Sequence, residues 1–262
     1  MEQAETPTTG GLRTDEDAYH DAFLRFLAGS DEKAVTHAYL DEVVAGLPAR
    51  RVFLDVGPAD GTTTRHVGRS FRHTVCVEPS APMRRSLART CPDALVLPDP
   101  VLDADPGTNV DLALLSHVLY YLPREDWAKT VRHVLRWVEP GGTLLVVLQS
   151  PENACMRMVR HFTGARFDLA ELADELTAAP DGPPGDVRLE SIPAHYRSDD
   201  LAETVAVADF FLSVPDGHRT AGGTPPTRDA VTAYALRHFR TEGTGYRVDH
   251  DQDVLRVVRP AA

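Results

Sequence analysis

The run LDVGPADGTTT, residues 54–64, is the strongest local signal for chemistry in the chain. An apolar strand leads straight into a glycine turn and then a helix. Gly57 and Gly61 let the backbone approach a ligand closely, and the helix start presents N–H groups to it. A ligand-free turn would explain a glycine pair alone. Asp55 weighs against that reading, because a carboxylate inside an apolar strand needs a partner. The next strand ends in CVEPS, placing Glu78 seventeen residues after Gly61. A carboxylate at that strand tip is positioned to accept both hydroxyls of a ribose. By itself Glu78 would read as a solvated acid; together with the glycine loop it points to a nucleoside-bearing cofactor.

Two such cofactors compete. A dinucleotide site wants GxGxxG, with the loop against pyrophosphate. This loop is GxxxG, and Asp60 within it repels a pyrophosphate while tolerating a sulfonium or an α-amino group, which favours S-adenosylmethionine. Ala59 stands between the glycines and calls for a slightly different turn. A third candidate follows the fourth strand, where His117 precedes Tyr120 and Tyr121 at the carboxyl edge of the sheet. Near-neutral titration suits a histidine there to removing a proton from an N–H or O–H. Most of the eleven histidines read as ordinary surface or core residues. Tyr120 reads as pocket wall and Tyr121 as core, while Phe162, Phe210 and Phe211 read as packing of a lid.

These residues need a scaffold, and the pattern supplies one. Residues 19–46 read as two helices broken at Gly29-Ser30, with Ser30 or Asp31 able to cap the second. Short apolar strands then alternate with helix-length segments up to residue 148, which implies an α/β fold. Its mostly parallel, Rossmann-like sheet carries helices on both faces. The alternation changes after Gln149 to helices and loops, with 187–196 as a strand and GHRTAGGTPPT as a flexible loop. The expected organisation is a loose tail over 1–14, N-terminal helices and cofactor-binding core over 15–149, a mostly helical substrate-covering insert over 150–245, and a final strand returning to the sheet within 246–262.

The DVGPADG run, Glu78, DLALLSHVLYYLP and WVEPGGTLLVV together resemble the class I S-adenosylmethionine-dependent methyltransferases. The resemblance implies that Asp55 and Gly57 contact the methionine part, Glu78 the ribose and Asp99 the adenine, with Ser116 near the cofactor. A closer resemblance, to the histamine N-methyltransferase family, is carried by YHDAFLRFLAGSDEKAVTHAYLDEVVAGLP, VEPSA, SHVLYYL and YRSDDLAETVAVADFFL. It implies a substrate pocket under the N-terminal helices. Glu32 falls on that family's substrate-binding glutamate, His117 on a substrate-contacting glutamine, and His250 or Asp251 near a C-terminal asparagine. Tyr19 lines the same expected pocket. Two of those three positions carry other residue types, so the resemblance implies the pocket location rather than histamine itself.

Composition bounds the partners. The net charge of −12 disfavours a phosphate-backbone substrate such as nucleic acid. No apolar run reaches the ~20 residues of a membrane span. The acidic, polar start reads as neither signal nor transit peptide, and Cys76, Cys91 and Cys155 lack metal-ligand spacing, so the expectation is a cytoplasmic protein with reduced thiols and no metal. Monomer and small homo-oligomer both remain open.

A methyl on a sulfonium is already activated, so the protein must chiefly hold an acceptor atom in line. A base, Glu32 or His117, matters only where the acceptor must lose a proton. An imidazole or amine acceptor then gives N-methylation, and an indole gives C-methylation through its carbon 3. The reading is a methyltransferase acting on a small nitrogen heteroaromatic or amine in secondary metabolism. The alternatives are a nicotinamide-dependent oxidoreductase and a non-catalytic cofactor-binding module.

Overall fold

A computed structural model describes residues 17–180, 182–213 and 225–261, with the side chains of 17–20 outside the description. The expected tail over 1–14 and most of the GHRTAGGTPPT loop lie outside the described residues. The chain begins with α1 (Asp17–Gly29), α2 (Glu32–Gly46), β1 (Val52–Val56), α3 (Thr62–Gly68), β2 (His73–Val77), α4 (Ala81–Thr90) and β3 (Leu95–Leu97). Next come β4 (Val110–Ser116), α5 (Trp127–Leu135), β5 (Val138–Gln149), α6 (Ala154–Thr163), α7 (Leu169–Thr177) and β6 (Asp186–Ile192). The last elements are β7 (His195–Ser198), α8 (Leu201–Phe211), α9 (Arg228–His238), β8 (Tyr246–Asp249) and β9 (Gln252–Val258).

Two compact units divide these elements. The sheet unit holds residues 34–148, 168–192 and 253–262. Its seven strands run in the order β3-β2-β1-β4-β5-β9-β6. Strand β1 is parallel to both β2 and β4, β2 to β3 and β4 to β5. The order reverses between β1 and β4, and α/β sheets bind ligands at the carboxyl ends of such a reversal. Every residue of β1 is buried, as coverage on both faces demands. In α2 the apolar positions Leu40, Val43, Val44 and Leu47 follow helical spacing, and they pack with Phe53, Leu112, Leu145, Ile192 and Val254.

The helical unit holds residues up to 33, 149–167 and 193–252. Helices α1, α6 and α8 pack against the antiparallel pair β7–β8, and α9 packs on α8. Phe26 on α1 stacks on Phe210 at 5.7 Å and meets Phe211 edge-on at 5.1 Å. Gly29 closes α1 where a Cβ would lie 2.4 Å from the Tyr196 ring, so only glycine admits β7 this closely.

Three local expectations change. The strand expected over 187–196 is two strands, β6 and β7, because Pro193 lacks the N–H to continue a ladder. The polar turn before the last strand contains β8, whose brief alternation leaves only Val248 buried. Helix α7, expected within the insert, belongs to the sheet unit, where Leu169, Leu172 and Leu176 are buried and the helix packs on α5 and β6.

One carboxylate pins the start of β1 to β4. Asp111 accepts from the N–H groups of Arg51 and Val52 at 2.5 and 3.0 Å and from the Arg51 guanidinium at 2.6 Å. Burial pushes its pKa up, but these donors outweigh burial and hold it below the usual aspartate range. A depressed folded pKa gives stability that is present above the unfolded value, about 3.9, and lost as pH falls through the folded one. Asp111→Ala should therefore cost about 2 kcal/mol or more at pH 7, since it strands buried N–H donors. The deficit should narrow below about pH 4, as read by denaturant titration at several pH values.

Candidate active site

The expected cofactor residues sit in the sheet unit at the carboxyl ends of β1 to β4. The Gly57 N–H donates to the Val77 carbonyl at 2.9 Å, tying the loop after β1 to the end of β2. Gly57, Ala59 and Gly61 take φ of +70°, +51° and +80°. Ala59 thus adopts the left-handed backbone that a glycine there would adopt, at a cost of about 1–2 kcal/mol. The two glycines also meet a packing constraint within the protein. A Cβ on Gly57 would lie 2.6 Å from the Val118 side chain, and one on Gly61 would lie 2.8 Å from Leu87. Both positions are closed by the protein's own packing before any ligand is considered.

Glu78 is nearly inaccessible, with 6% exposure. Its Oε1 accepts the Ser80 N–H at 2.8 Å, and the Ala59 N–H also reaches the carboxylate. Burial raises its pKa above the usual glutamate range, opposed by those two N–H groups and by Arg84. Arg84 donates to the carbonyls of Glu78 and Pro79, not to the carboxylate. A buried carboxylate held by backbone donors, with acceptor capacity left on its oxygens, fits the paired hydroxyls of a ribose.

Asp55 has found the partner that its place in a strand requires: Thr64 Oγ1 on α3 donates to it at 2.7 Å. Asp60 accepts from the Thr62 N–H at 3.0 Å and from its hydroxyl at 2.7 Å, so it occupies part of the helix start expected to face a ligand. Asp99 is exposed, two residues beyond β3, and Ser116 is the half-buried last residue of β4. His117 follows with φ +58°, its N–H donating to the Val147 carbonyl at 2.9 Å and its ring parallel to Tyr120 at 5.7 Å. A non-glycine residue held left-handed at a strand end is a mark of functional sites. Tyr121, expected in the core, is 53% exposed because Leu119 takes the buried position of that turn.

The expected acceptor residues Glu32 and His250 lie together in the helical unit. His250 has no exposure, and its Nδ1 stands 3.7 Å from Glu32 Oε2 without a hydrogen bond of its own. Its Nε2 lies 3.0 Å from Ser30 Oγ, which also accepts the Glu32 N–H at 3.0 Å. With that N–H on the serine oxygen and the carboxylate beside Nδ1, the preferred tautomer carries its proton on Nδ1 and accepts the serine hydroxyl proton at Nε2. Burial pushes the imidazole pKa down, with Glu32 and Asp31 pulling the other way. Phe26 meets the His250 ring edge-on at 5.1 Å, and Phe211 lies 6.2 Å away. Tyr19 stands on α1 with its side chain outside the described residues.

Sequence reasoning saw Ser30 and Asp31 only as helix caps. Asp31 also holds His195, accepting its backbone N–H at 2.7 Å and lying 2.8 Å from its Nδ1. The visible signal was the consecutive run Ser30-Asp31-Glu32 ahead of an apolar helix.

A doubly wound sheet with a glycine turn after its first strand and a buried carboxylate after its second is the arrangement expected of a nucleoside-cofactor enzyme fold. The model of the methyltransferase domain family matches residues 22–210, and the chain belongs to that family. It is an S-adenosylmethionine-dependent methyltransferase. Among solved structures it is similar to the N-methyltransferase NodS of Bradyrhizobium japonicum WM9 in complex with S-adenosyl-L-homocysteine. The two share 15% identity over 94% of this chain and 100% of the other, with a TM-score of 0.54. The YcgJ protein of Bacillus subtilis gives 14% identity, 86% and 100% coverage and a TM-score of 0.56. The [4+2]-cyclase SpnF gives 19% identity, 86% and 82% coverage and a TM-score of 0.52. These likenesses show the fold. No curated protein matches the sequence.

Two variants test the cofactor side. Glu78→Ala should weaken S-adenosylhomocysteine binding by about 1.5–3 kcal/mol, the range for hydrogen bonds to a charged group, and calorimetry on the folded variant reads it. Unchanged affinity would remove Glu78 from the site. Ala59→Gly relieves a left-handed alanine, so it should raise stability by up to about 1 kcal/mol after the added chain entropy of glycine, seen as a higher Tm.

Proposed function

We propose that the methyl acceptor is a small nitrogen heteroaromatic or amine of the imidazole, indole or alkylamine class, recognised through Glu32 and His250. The observation that carries this reading is the fully buried His250 imidazole, held by Ser30 and facing the Glu32 carboxylate at 3.7 Å. A buried carboxylate beside an imidazole suits a partner that brings its own N–H or cationic nitrogen. The rings of Phe26 and Phe211 around His250 suit a flat, apolar body. The resemblance to the histamine N-methyltransferase family supports nitrogen chemistry, and so does the likeness to the N-methyltransferase NodS.

When bound, the cofactor supplies a methyl group already activated by its positive sulfur. Glu78 and the loop over residues 57–61 hold it. The acceptor gains that methyl, and where it carries an N–H it also gives up a proton. Glu32 takes or orients that proton, with the His250 Nδ1–H facing its carboxylate. His117, beside Tyr120, is the second candidate base, and Asp55, Asp99 and Ser116 complete the proposed cofactor contacts. An indole losing its ring proton directs electron density to carbon 3, so C-methylation belongs to the same proposal. The role in secondary metabolism, the cytoplasmic location and a monomeric or small oligomeric state are parts of this reading that rest on sequence alone.

A screen of imidazoles, indoles, amines and phenols with methyl-labelled cofactor, followed by locating the label, identifies the acceptor. Glu32→Gln and His250→Asn should leave S-adenosylhomocysteine affinity within about twofold while lowering turnover by roughly 10²–10⁴ for an N–H acceptor. An acceptor with no proton to lose would show the effect in KM instead. Full activity with unchanged KM in both variants would sink the acceptor assignment. The depressed His250 pKa adds a pH test. The imidazole stays neutral until pH falls below the ordinary histidine value of about 6.5, so any acidic limb due to it should lie below that pH and vanish in His250→Asn.

A further inference from the structure

A cavity of about 580 Å³ lies in the helical unit, lined by side chains of α6 and α9 that take no part in the chemistry above. Its walls carry Arg157, Arg160, Arg237, His161, His238 and Tyr234, and no carboxylate lines it among the described residues. The volume is of the size that takes a metabolite. Across the chain acidic residues outnumber basic ones, 39 to 27, so a wall whose described residues carry three guanidinium groups and no acid runs against the composition.

The aromatic part of the wall is ordered around Tyr234. Its ring centre lies 4.2 Å from His238, 5.3 Å from His161 and 5.4 Å from Phe162. Burial raises the Tyr234 phenol pKa, and Arg157 and Arg160 both pull it back down, which places the two cations within electrostatic reach of the ring. Glu152 offsets part of this charge, lying 3.1 Å from Arg160 and accepting from Arg157 through its carbonyl. Arg237 makes neither a hydrogen bond nor an ion pair among the described residues. Guanidinium groups match planar and tetrahedral anions through paired N–H donors, and an aromatic platform takes a flat ring.

A simpler account exists for some of these cations. Arg160, His161, Arg237 and His238 occupy the last turns of their helices, where positive charge complements the dipole. That account needs neither a cavity nor an aromatic stack, and it leaves out Arg157, which sits earlier on α6.

We infer that this cavity binds a small planar organic anion, an aromatic carboxylate or aromatic phosphate, with its ring on Tyr234 and its anionic group held by Arg157, Arg160 and Arg237. This is a binding site additional to the cofactor and acceptor residues, and it stands whether or not the acceptor proposal does.

Calorimetry on the full chain with 2-naphthyl phosphate, 2-naphthoate and the neutral 2-naphthamide tests it. The expected result is one saturable site for the anions, at least about tenfold tighter than for the amide, as charge-assisted hydrogen bonds predict. Whichever anion binds more tightly names the charged group. Arg157→Gln combined with Arg237→Gln should weaken anion binding at least about tenfold, with S-adenosylhomocysteine affinity unchanged as evidence of an intact chain. Should that pair fail to fold, Arg237→Gln alone, which breaks no hydrogen bond or ion pair among the described residues, must still weaken binding. Tyr234→Leu should weaken both naphthyl anions while leaving the weaker binding of inorganic phosphate in place. Equal affinity for the amide, or undiminished anion binding in the arginine variants, would overturn the site and leave the cations as helix-end charges.

Discussion

Three buried carboxylates of the sheet unit, Asp55, Glu78 and Asp111, are answered by donors from a neighbouring element, and those pairings fix where the strand ends meet. Asp111 joins the start of β1 to β4 through two N–H groups and a guanidinium. Asp55 joins β1 to α3 through the Thr64 hydroxyl. Glu78 joins the end of β2 to the loop after β1 through the Ala59 N–H. A carboxylate in a low-dielectric interior without such donors would cost several kcal/mol, so each pairing is strongly specified. Hydrophobic burial brings β1, β2 and β4 side by side; the carboxylates set the register at which the loops emerge from them.

The same constraint explains what was legible in the sequence. Strand and helix alternation followed from apolar periodicity, and Asp55 and Glu78 stood out because charged residues are conspicuous beside apolar strands. The packing constraint on Gly57 and Gly61 was not legible. Their contacts with Val118 and Leu87 involve residues 61 and 26 positions along the chain, and nothing local announces them. Pro193 lies within the segment read as one strand, and its consequence, one strand in each unit, depends on which neighbours each half finds. Strand β8 was missed because four residues with a single buried side chain carry too little periodicity to be told from a turn.

In the helical unit the pairing of Glu32 with His250 was reached from family resemblance, not from spacing. The two residues are 218 positions apart, and no pattern within either segment points to the other. Ser30 is what the resemblance did not supply. By accepting the Glu32 N–H and facing His250 Nε2, its hydroxyl orients the carboxylate-bearing turn and the imidazole at once. The Ser30-Asp31-Glu32 run is thus a helix cap whose side chains also organise two histidines, His250 and His195.

Positive φ falls on glycines and on two other residues, at different cost. Gly57 and Gly61 carry positive φ at no steric cost, and each is crowded by the protein's own side chains. Ala59 and His117 carry positive φ at a cost that glycine would avoid, and they are the two non-glycine residues to do so among the described residues. Both fall at the carboxyl edge of the sheet beside the point where its strand order reverses. For Ala59 the strained conformation delivers an N–H to Glu78, a contact that glycine could make equally well, so the side chain adds only strain. For His117 the case differs. Glycine would keep the backbone bond to Val147 and lose the imidazole, so the strain is retained together with a ring that lies parallel to Tyr120. Of the two strained positions, His117 is the one where the side chain itself gives a reason for the conformation to persist.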